Sequence, residues 1–349
     1  MKKNGFISIS VVYSFFLVFL VVLIAIINNY ANNRLLLKNM KTDIIDNLSM
    51  SHEPVVLATH LIGLYTTDGS NGIYYHDKVG TFANLEAGDN SYRFAGTNPR
   101  NYVCFGSSAS TCPDANLYRI IGVFNYNGVY KVKLIKNTSY GNYYWSGTSS
   151  NRVNVWASSS LNTSTLNSSF LNSLGSPWNT MIDSTTWYVG GLTVTNGRYA
   201  EQIAKTAFDY EVGSSKITGN FSYDCDGSGS GTTSCSASST YTNKIGLMYL
   251  SDFYYAAFPD FWSLKGYDAS GSDYRRAALS NWLNTGVNEW TIARLTSDST
   301  NYIINELGYM ESTAPNNISA VIRPTFNLTS SVKFNLGTGT QSNPYRLTQ

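Results

Sequence analysis

Charge is scarce in this sequence, and the shortage limits what the protein can bind. Charged residues make up 13% of the 349 residues, about half of the roughly 25% found in soluble domains. Lys and Arg number 24 and Asp and Glu number 22, which leaves a formal net charge of +2. The chain therefore has no strong field to attract nucleic acid or an acidic substrate, and we predict no nucleic-acid partner.

Residues that carry out catalysis are also few. Three histidines are present, His52, His60 and His76, and no Gly-x-Ser-x-Gly motif marks a serine nucleophile. A pair of carboxylates for glycoside hydrolysis is an alternative that the sequence leaves open, because the distance between the two groups in space is what matters. The acids that lie near aromatic residues in the sequence are Asp252, Asp260, Asp268 and Asp273. We predict no catalytic residue and no cofactor.

Aromatic residues, in contrast, are abundant. The chain has 26 Tyr, 16 Phe and 7 Trp, enough to bury a substantial core, which excludes a disordered chain. Two apolar, β-branched runs at 117–124 and 129–135 flank Asn127-Gly128 and predict a β-hairpin. These patterns predict an α+β fold that is rich in strands, with mixed or antiparallel sheets and short helices.

Two further segments have a local prediction. Residues 156–174 place leucines mostly at helical spacing and end at Gly175, which predicts a helix. The run 321–328 reads as a closing strand, and Pro324 restricts it to a sheet edge or to an extended segment.

A long apolar run without charge occupies residues 6–27. As a helix its 22 residues would measure about 33 Å, enough to cross a hydrocarbon core of roughly 30 Å. A cleaved signal peptide is the alternative, although its apolar region is usually about 7–15 residues. We therefore predict a long N-terminal transmembrane α-helix and the following order: a basic cytoplasmic leader at 1–5, the span at 6–27, a helical stalk or linker at 28–60, and an extracytoplasmic β-rich domain at 61–349.

The four cysteines form two short-range pairs. Cys104 lies close to Cys112 and Cys225 lies close to Cys235, each pair around a loop rich in small polar residues. Such pairs are typical of disulfides in an oxidising compartment, so we predict that the C-terminal part lies outside the cell. Reduced thiols are the alternative, and a metal site lacks the required spacing and nearby histidines.

Two sequence features are candidates for ligand binding. Asp224, Asp226 and Ser228 have the alternating oxygen ligands of a calcium loop, but the twelfth position, where Glu belongs, is Cys235. Clustered aromatics could stack against the apolar faces of sugars, with core packing as the alternative. The residues of this predicted aromatic platform are Tyr143, Tyr144, Trp145, Trp187 and Trp262.

The N-terminus resembles that of type IV prepilins. The resemblance is carried by Lys2-Lys3-Asn4-Gly5-Phe6 ahead of the apolar run. It implies cleavage after Gly5 and methylation of Phe6. The fifth mature residue is usually Glu in that family and supports subunit docking, whereas it is Ser10 here. The departure leaves processing without filament assembly open.

The rest of the chain is similar to an uncharacterised domain of Firmicutes surface proteins. The similarity is carried by segments at 118–122 (YRIIG), 156–171, 245–251 (IGLMYLS), 323–328 (RPTFNL) and 339–345. It implies an extracytoplasmic module with a suspected C-type-lectin-like α+β fold and without an established activity.

These features together predict a single-pass bacterial cell-surface protein. Its C-terminal domain, anchored to the lipid bilayer by the transmembrane helix, would lie outside the cell and display a non-enzymatic recognition or adhesion module for a glycan or another host or cell-surface ligand. Two alternatives stay open: a pilin-like structural subunit that is processed after Gly5, and a surface hydrolase of glycans or peptides.

Overall fold

The chain divides into two units, Met1–Glu53 and Pro54–Gln349. The computed structural model describes residues 16–30, 53–77, 79, 82–147, 154–190, 203–212, 220–221, 235–236, 240–266, 273–295, 300–314 and 316–348. For residues 220–221, 235–236 and 273 the description covers the backbone alone.

In the first unit the structure describes helix α1, residues 16–30, whose side chains are all exposed. Among the described residues no helix is long and apolar enough to cross a membrane. The prediction of a long N-terminal transmembrane α-helix is therefore wrong for the described residues. Residues 1–15 and 31–52, which hold the predicted leader, the start of the predicted span and most of the predicted stalk, lie outside them.

The second unit is α+β and is built mainly from strands. The strands of its described residues, numbered in chain order, are β1 Val55–Val56, β2 Ile73–His76, β3 Ser91–Phe94, β4 Tyr102–Cys104, β5 Leu117–Tyr126, β6 Val129–Lys136, β7 Gly141–Tyr143, β8 Thr185–Tyr188, β9 Asn220–Phe221, β10 Cys235–Ser236, β11 Thr240–Asn243, β12 Glu289–Arg294, β13 Asn301–Ile304, β14 Met310–Thr313, β15 Ala320–Ile322, β16 Thr325–Asn327, β17 Lys333–Leu336 and β18 Tyr345–Thr348.

The helices of the second unit are short. They are α2 Leu57–Gly63, α3 Leu171–Leu174, α4 Ala204–Val212, α5 Leu250–Tyr255 and α6 Asp273–Leu279, together with a π-helix at Leu161–Phe170 and 3₁₀ turns that include Trp156–Ser158. The helix predicted at 156–174 is thus present as three consecutive pieces, in which the π-helix takes the largest part.

Strand β5 organises the larger sheet. One edge of β5 pairs with β4 and, further along, with β3, while its other edge pairs with β6. The sheet continues from β4 through β18 and β17 to β1, from β3 to β2, and from β6 to β16. The β5–β6 hairpin confirms the prediction, because Asn127 and Gly128 have φ of 53° and 88°, the left-handed values that a tight hairpin turn requires.

A five-stranded sheet has the order β14-β13-β12-β15-β7. Its strand β15 is separated by only Arg323 and Pro324 from β16, which belongs to the larger sheet. Pro324 has no amide hydrogen to give to a ladder, and its carbonyl accepts a bond from the Lys136 amide at 3.0 Å. The single strand predicted at 321–328 is therefore two strands, and the chain passes between the sheets at the proline.

Gly122 allows β3 and β5 to lie close together. A Cβ atom at this position would stand 2.4 Å from the Tyr92 carbonyl oxygen and 3.1 Å from the Arg93 Cα. Both contacts are with backbone, so no side-chain rotation could relieve them. The missing side chain thus fixes the spacing of the strands that carry Tyr92 and Arg93.

The disulfide Cys104–Cys112 is present, with an S–S distance of 2.04 Å, and confirms the first predicted pair. Cys104 ends β4, so the bridge ties the loop that follows back to the larger sheet. Cys225 lies outside the described residues, and for Cys235 the structure describes only the backbone in β10.

Candidate functional site

The five residues of the predicted aromatic platform do not meet on one surface. Trp145, Trp187 and Trp262 are at most 1% exposed and belong to the core. Tyr143 and Tyr144 are half-buried. Because a sugar must reach a ring face in order to stack on it, the three buried tryptophans cannot contribute to a shared platform.

Several other predicted positions lie outside the described residues. These are the processing site Gly5 and Phe6, the calcium candidates Asp224, Asp226 and Ser228, and Asp268. Within the described part of the chain, no group of three or more His, Cys, Asp or Glu side chains is arranged to hold a metal ion. The calcium site and the processing site stay predictions.

His76 is completely buried in β2. Its Nδ1 accepts a bond from the Ala87 amide at 3.2 Å, and its ring lies 5.0 Å from that of Trp262. Burial, and then the charge of Arg93, lower the pKa of His76 well below its usual value. The imidazole is therefore a neutral part of the core.

A buried ion cluster of Asp89, Arg93, Lys133 and Asp252 lies on the same side of the sheet. Arg93 Nη2 stands 2.8 Å from Asp89 Oδ2, and Arg93 Nη1 stands 3.7 Å from Asp252 Oδ1. Lys133 pairs with the other oxygen of Asp252, which also accepts the Tyr249 amide at 2.9 Å. Asp252 thus serves two cations and an amide, an arrangement that suits a structural ion pair.

Aromatic rings enclose this cluster. The Arg93 guanidinium lies 4.7 Å from the Phe124 ring and 4.9 Å from the Tyr255 ring, and Lys133 Nζ lies 4.2 Å from the Tyr249 ring. Burial lowers the pKa of Lys133, and the charge of Asp252 opposes that effect. Since Arg93, Lys133 and Asp252 are 2% exposed, a ligand has no access to their charges.

Arg119 and Arg323 are two further buried arginines with partners inside the fold. Arg119 is stacked 4.0 Å from the Tyr102 ring and 4.6 Å from the Trp282 ring, and its Nε donates to Asn101 at 2.6 Å. Arg323 Nε stands 2.8 Å from Glu289 Oε1. Both guanidiniums are buried and hold neighbouring strands together.

The opposite side of the same sheet has a different character. Tyr65, Tyr75, Tyr92 and Tyr130 form a run of half-buried rings, which we call the tyrosine face. The centroid distances are 5.9 Å between Tyr65 and Tyr75, 5.5 Å between Tyr65 and Tyr92, 4.5 Å between Tyr75 and Tyr92, and 6.2 Å between Tyr92 and Tyr130.

Strand register brings these rings together. Tyr75 in β2 is opposite Tyr92 in β3, and Tyr92 is opposite Val123 in β5. Val123 is in turn opposite Val132 in β6, and Tyr130, two residues before Val132, lies on the same side of the strand. Helix α2 packs on β5 and β6, and Tyr65 comes directly after its C-cap residue Leu64.

Hydrogen bonds hold two of the tyrosine side chains. The Tyr65 hydroxyl donates to Asp68 Oδ1 at 3.1 Å, and the Tyr75 hydroxyl donates to Asn90 Oδ1 at 3.2 Å. Asp68 Oδ1 also accepts the Tyr75 amide at 3.3 Å. The rings are therefore fixed in place while part of their surface remains open to solvent, which is the arrangement of a preformed stacking surface.

Acidic groups surround the tyrosine face. Burial, the hydrogen bond to Asp68, and the negative charges of Asp68, Asp77 and Glu86 raise the pKa of Tyr65 to about 12. Burial raises the pKa of Tyr92 as well, and Tyr130 and Asp77 add to the effect. The hydroxyls consequently stay protonated and can donate hydrogen bonds.

Glu86 stands out among these acids. The residue is 1% exposed, and neither carboxylate oxygen has a hydrogen-bond partner. Burial, and then the charges of Asp68 and Asp77, raise the pKa of Glu86 to about 7. The backbone around it is held by bonds from the Tyr255 hydroxyl to the Leu85 carbonyl at 2.8 Å and from the Ala87 amide to His76.

The tyrosine face was missed by the sequence analysis. Tyr75 and Tyr92 lie in strands of four residues each, and neither strand contains a long apolar run that would predict it. The available signal was the abundance of tyrosine itself, since a chain with 26 tyrosines cannot place all of them in the core without leaving hydroxyls unpaired.

A small pocket elsewhere offers little room. It is lined by Phe253, Tyr254, Phe261, Lys265 and Tyr274, among others, and its volume is about 20 Å³. That volume accommodates one water molecule, so it does not compete with the tyrosine face as a ligand site.

Comparison with family models, with curated proteins and with solved structures finds no match at a significant level. The resemblances to type IV prepilins and to the Firmicutes surface domain therefore stay predictions.

Proposed function

We propose that this chain is a non-enzymatic recognition module that acts outside the cytoplasm and binds a glycan on the tyrosine face. The observation that carries the proposal is the run of contacting, half-buried rings of Tyr65, Tyr75, Tyr92 and Tyr130. Aromatic rings with fixed orientation and accessible faces bind the apolar faces of sugars, and neighbouring polar groups bind the sugar hydroxyls.

The surroundings of the rings favour a sugar as the ligand. Asp68 and Asp77 are half-buried beside the tyrosines, where carboxylate oxygens can accept bonds from sugar hydroxyls. The hydroxyls of Tyr65 and Tyr75 donate to Asp68 and Asn90, so their oxygens can accept bonds from sugar hydroxyls. An extracytoplasmic setting is supported by the Cys104–Cys112 disulfide, since disulfides persist mainly in oxidising compartments.

A glycan-array screen of the full chain, followed by calorimetry with the best glycan, tests the proposal. Replacing Tyr92 by Ala removes the ring that contacts Tyr65, Tyr75 and Tyr130. We expect it to weaken binding by about tenfold, the size of one aromatic stacking contact. Tyr92→Phe should retain most of the affinity.

Tyr188 provides the matched control, because it is a tyrosine that is 41% exposed on β8, in a different sheet. Tyr188→Ala should bind the glycan like the original chain. The proposal fails if the original chain binds no glycan, or if Tyr92→Ala and Tyr188→Ala bind equally well while circular dichroism shows both to be folded.

A further inference from the structure

The pair of Lys133 and Asp252 brings a nucleophile and an acyl group together in the core. Lys133 Nζ contacts Asp252 Oδ2, and the two side chains are 2% and 1% exposed. An amine and a carboxylic acid that are both neutral and shielded from water can condense to an amide. Groups that a fold holds in contact react as parts of one molecule, with effective molarities that reach about 10⁵–10⁸ M. The geometry of the pair therefore suits a covalent reaction as well as an ion pair.

The surroundings of Lys133 favour its neutral amine. Lys133 Nζ lies 4.2 Å from the centroid of the Tyr249 ring and 5.2 Å from that of Phe124. The Trp187 ring lies 5.6 Å from the same atom. These rings take the place of water, and burial lowers the pKa of Lys133 in spite of the opposing charge of Asp252. A lysine becomes a nucleophile only when it has lost its proton, because the ammonium group has no free electron pair.

Arg93 is a second and independent observation at this site. Its Nη1 stands 3.7 Å from Asp252 Oδ1, and both atoms are buried and have no hydrogen-bond partner. When a nucleophile adds to the carboxyl carbon of Asp252, Oδ1 becomes an oxyanion, and a donor that faces this oxygen stabilises it. The unpartnered donor thus faces the atom on which negative charge develops during amide formation.

We propose that Lys133 and Asp252 form an intramolecular amide (isopeptide) bond once the chain has folded. The Lys133 ammonium gives one proton to Asp252 Oδ2, and the resulting amine adds to Cγ of the carboxylic acid, which places the negative charge on Oδ1 beside Arg93. The bond between Cγ and Oδ2 then breaks, Oδ2 takes a second proton from the nitrogen, and one water molecule leaves. The reaction is a condensation that consumes no oxidant or reductant. It goes beyond the proposed function, because it does not involve the tyrosine face.

Two other ion pairs of the described side chains contain a lysine and provide a comparison. The side chains of Lys131–Asp183 and Lys205–Asp209 are at least 22% exposed. Water reaches these pairs, so their lysines stay charged and any amide bond is open to hydrolysis. We therefore expect the bond at Lys133 and none at Lys131 or Lys205.

Mass spectrometry of the full chain, folded and then reduced, denatured and digested with trypsin, tests the proposal. Trypsin does not cleave after a lysine whose amine is part of an amide, so cleavage after Lys133 should be lost. The segment 132–136 should then be joined to the segment 245–265, which contains Asp252. We expect this branched peptide in most of the chain, with the summed mass of the two segments minus one water, and fragmentation should place the bond at Lys133 and Asp252.

Two variants complete the test. Lys133→Arg keeps a cation beside Asp252 but has no amine, so the branched peptide should be absent, whereas Lys131→Arg at the half-exposed pair is the matched control and should retain it. The inference is overturned if the original chain, shown by circular dichroism to be folded, is cleaved after Lys133 and yields only separate peptides. It is also overturned if Lys131 or Lys205 is joined to its aspartate as completely as Lys133, because burial is then not the cause. Should Lys133→Arg fail to fold, the digest of the original chain decides alone.

Discussion

The two sides of one sheet treat charge in opposite ways. On the enclosed side, Arg93 and Lys133 share Asp252, and Arg93 also pairs with Asp89. On the open side, Asp68 accepts hydrogen bonds from the Tyr65 hydroxyl and the Tyr75 amide, and no described side chain pairs with Asp68 or Asp77 in an ion pair. The charges of the enclosed cluster are thus paired within the chain, whereas Asp68 and Asp77 on the open side are half-buried and have no ion-pair partner among the described side chains.

Strand β6 allows this comparison to be made with similar residues. Lys133 and Lys131 both point to the enclosed side, and each pairs with an aspartate. The Lys133–Asp252 pair is at most 2% exposed, whereas the Lys131–Asp183 pair, with an N–O distance of 2.5 Å, is 22–24% exposed. The two pairs thus differ in depth of burial, and Asp252 has Arg93 as a second cation 3.7 Å away.

Breaking the buried pair should have the largest effect on stability. Asp252→Ala leaves Lys133 without a carboxylate and Arg93 with Asp89 alone, so we expect a loss of about 3–5 kcal/mol in the free energy of unfolding. Asp183→Ala at the half-exposed pair should cost less than about 1 kcal/mol. Urea denaturation of both variants measures the difference, and equal losses would show that the cluster is not the stabilising unit described above.

Adding a side chain at Gly122, between β3 and β5, should have the next largest effect on stability. Gly122→Ala places a Cβ 2.4 Å from the Tyr92 carbonyl and should destabilise the fold by about 2–3 kcal/mol. It should also weaken glycan binding, since Tyr92 would shift. Gly63 at the end of α2 has no atom within 4 Å of an added Cβ, so Gly63→Ala should be neutral or stabilise by up to about 1 kcal/mol. A Gly122→Ala variant as stable as Gly63→Ala would contradict the close approach.

Glu86 should make stability depend on pH. Its pKa is raised to about 7 in the folded chain, above the value near 4.3 of an unfolded chain, so the folded chain binds the proton more tightly. The stability that this tighter proton binding contributes is present in full below about pH 4.3 and is lost as the pH rises through 7. Between about pH 5 and pH 8 the free energy of unfolding of the original chain should fall by on the order of 1–2 kcal/mol more than that of Glu86→Gln.

Thermal or urea unfolding at several pH values checks this expectation. Glu306→Gln is the matched control, because it removes one exposed acid far along the chain, and its pH profile should follow that of the original chain. If Glu86→Gln also follows the original profile, Glu86 does not bind its proton more tightly in the folded chain.

The smallest effect is expected at the rim of the tyrosine face. Tyr130→Ala removes a half-buried ring and should cost about 1 kcal/mol or less in stability, whereas Tyr255→Ala on the enclosed side, where the ring is 1% exposed, should cost about 3–5 kcal/mol. Among variants that fold, Tyr130→Ala should weaken glycan binding more than Tyr255→Ala does. A large stability loss in Tyr130→Ala would mean that the face is part of the core.

Local signals in the sequence predicted local structure well. The Asn127-Gly128 hairpin and the Cys104–Cys112 bridge each depend on residues a few positions apart, and both are present. The length of the apolar run at 6–27 predicted a transmembrane helix, whereas the described residues contain no helix that could span a membrane.

Contacts between distant residues could not be predicted. Lys133 and Asp252 are 119 positions apart, and their pairing depends on how α5 is placed over β6. Tyr75 and Tyr92 meet because β2 and β3 pair in one particular register, and a shift of one residue would place Tyr74 in that position instead. The predicted aromatic platform combined Tyr143 and Tyr144 with three tryptophans that the structure places in the core.

The passage of the chain at Pro324 has a consequence for how the second unit unfolds. Because β15 and β16 are separated by two residues and belong to different sheets, neither sheet can lose its strand without pulling on the other. The two sheets should therefore open as one cooperative block, and amide hydrogen exchange along β15 and β16 should report a common opening free energy.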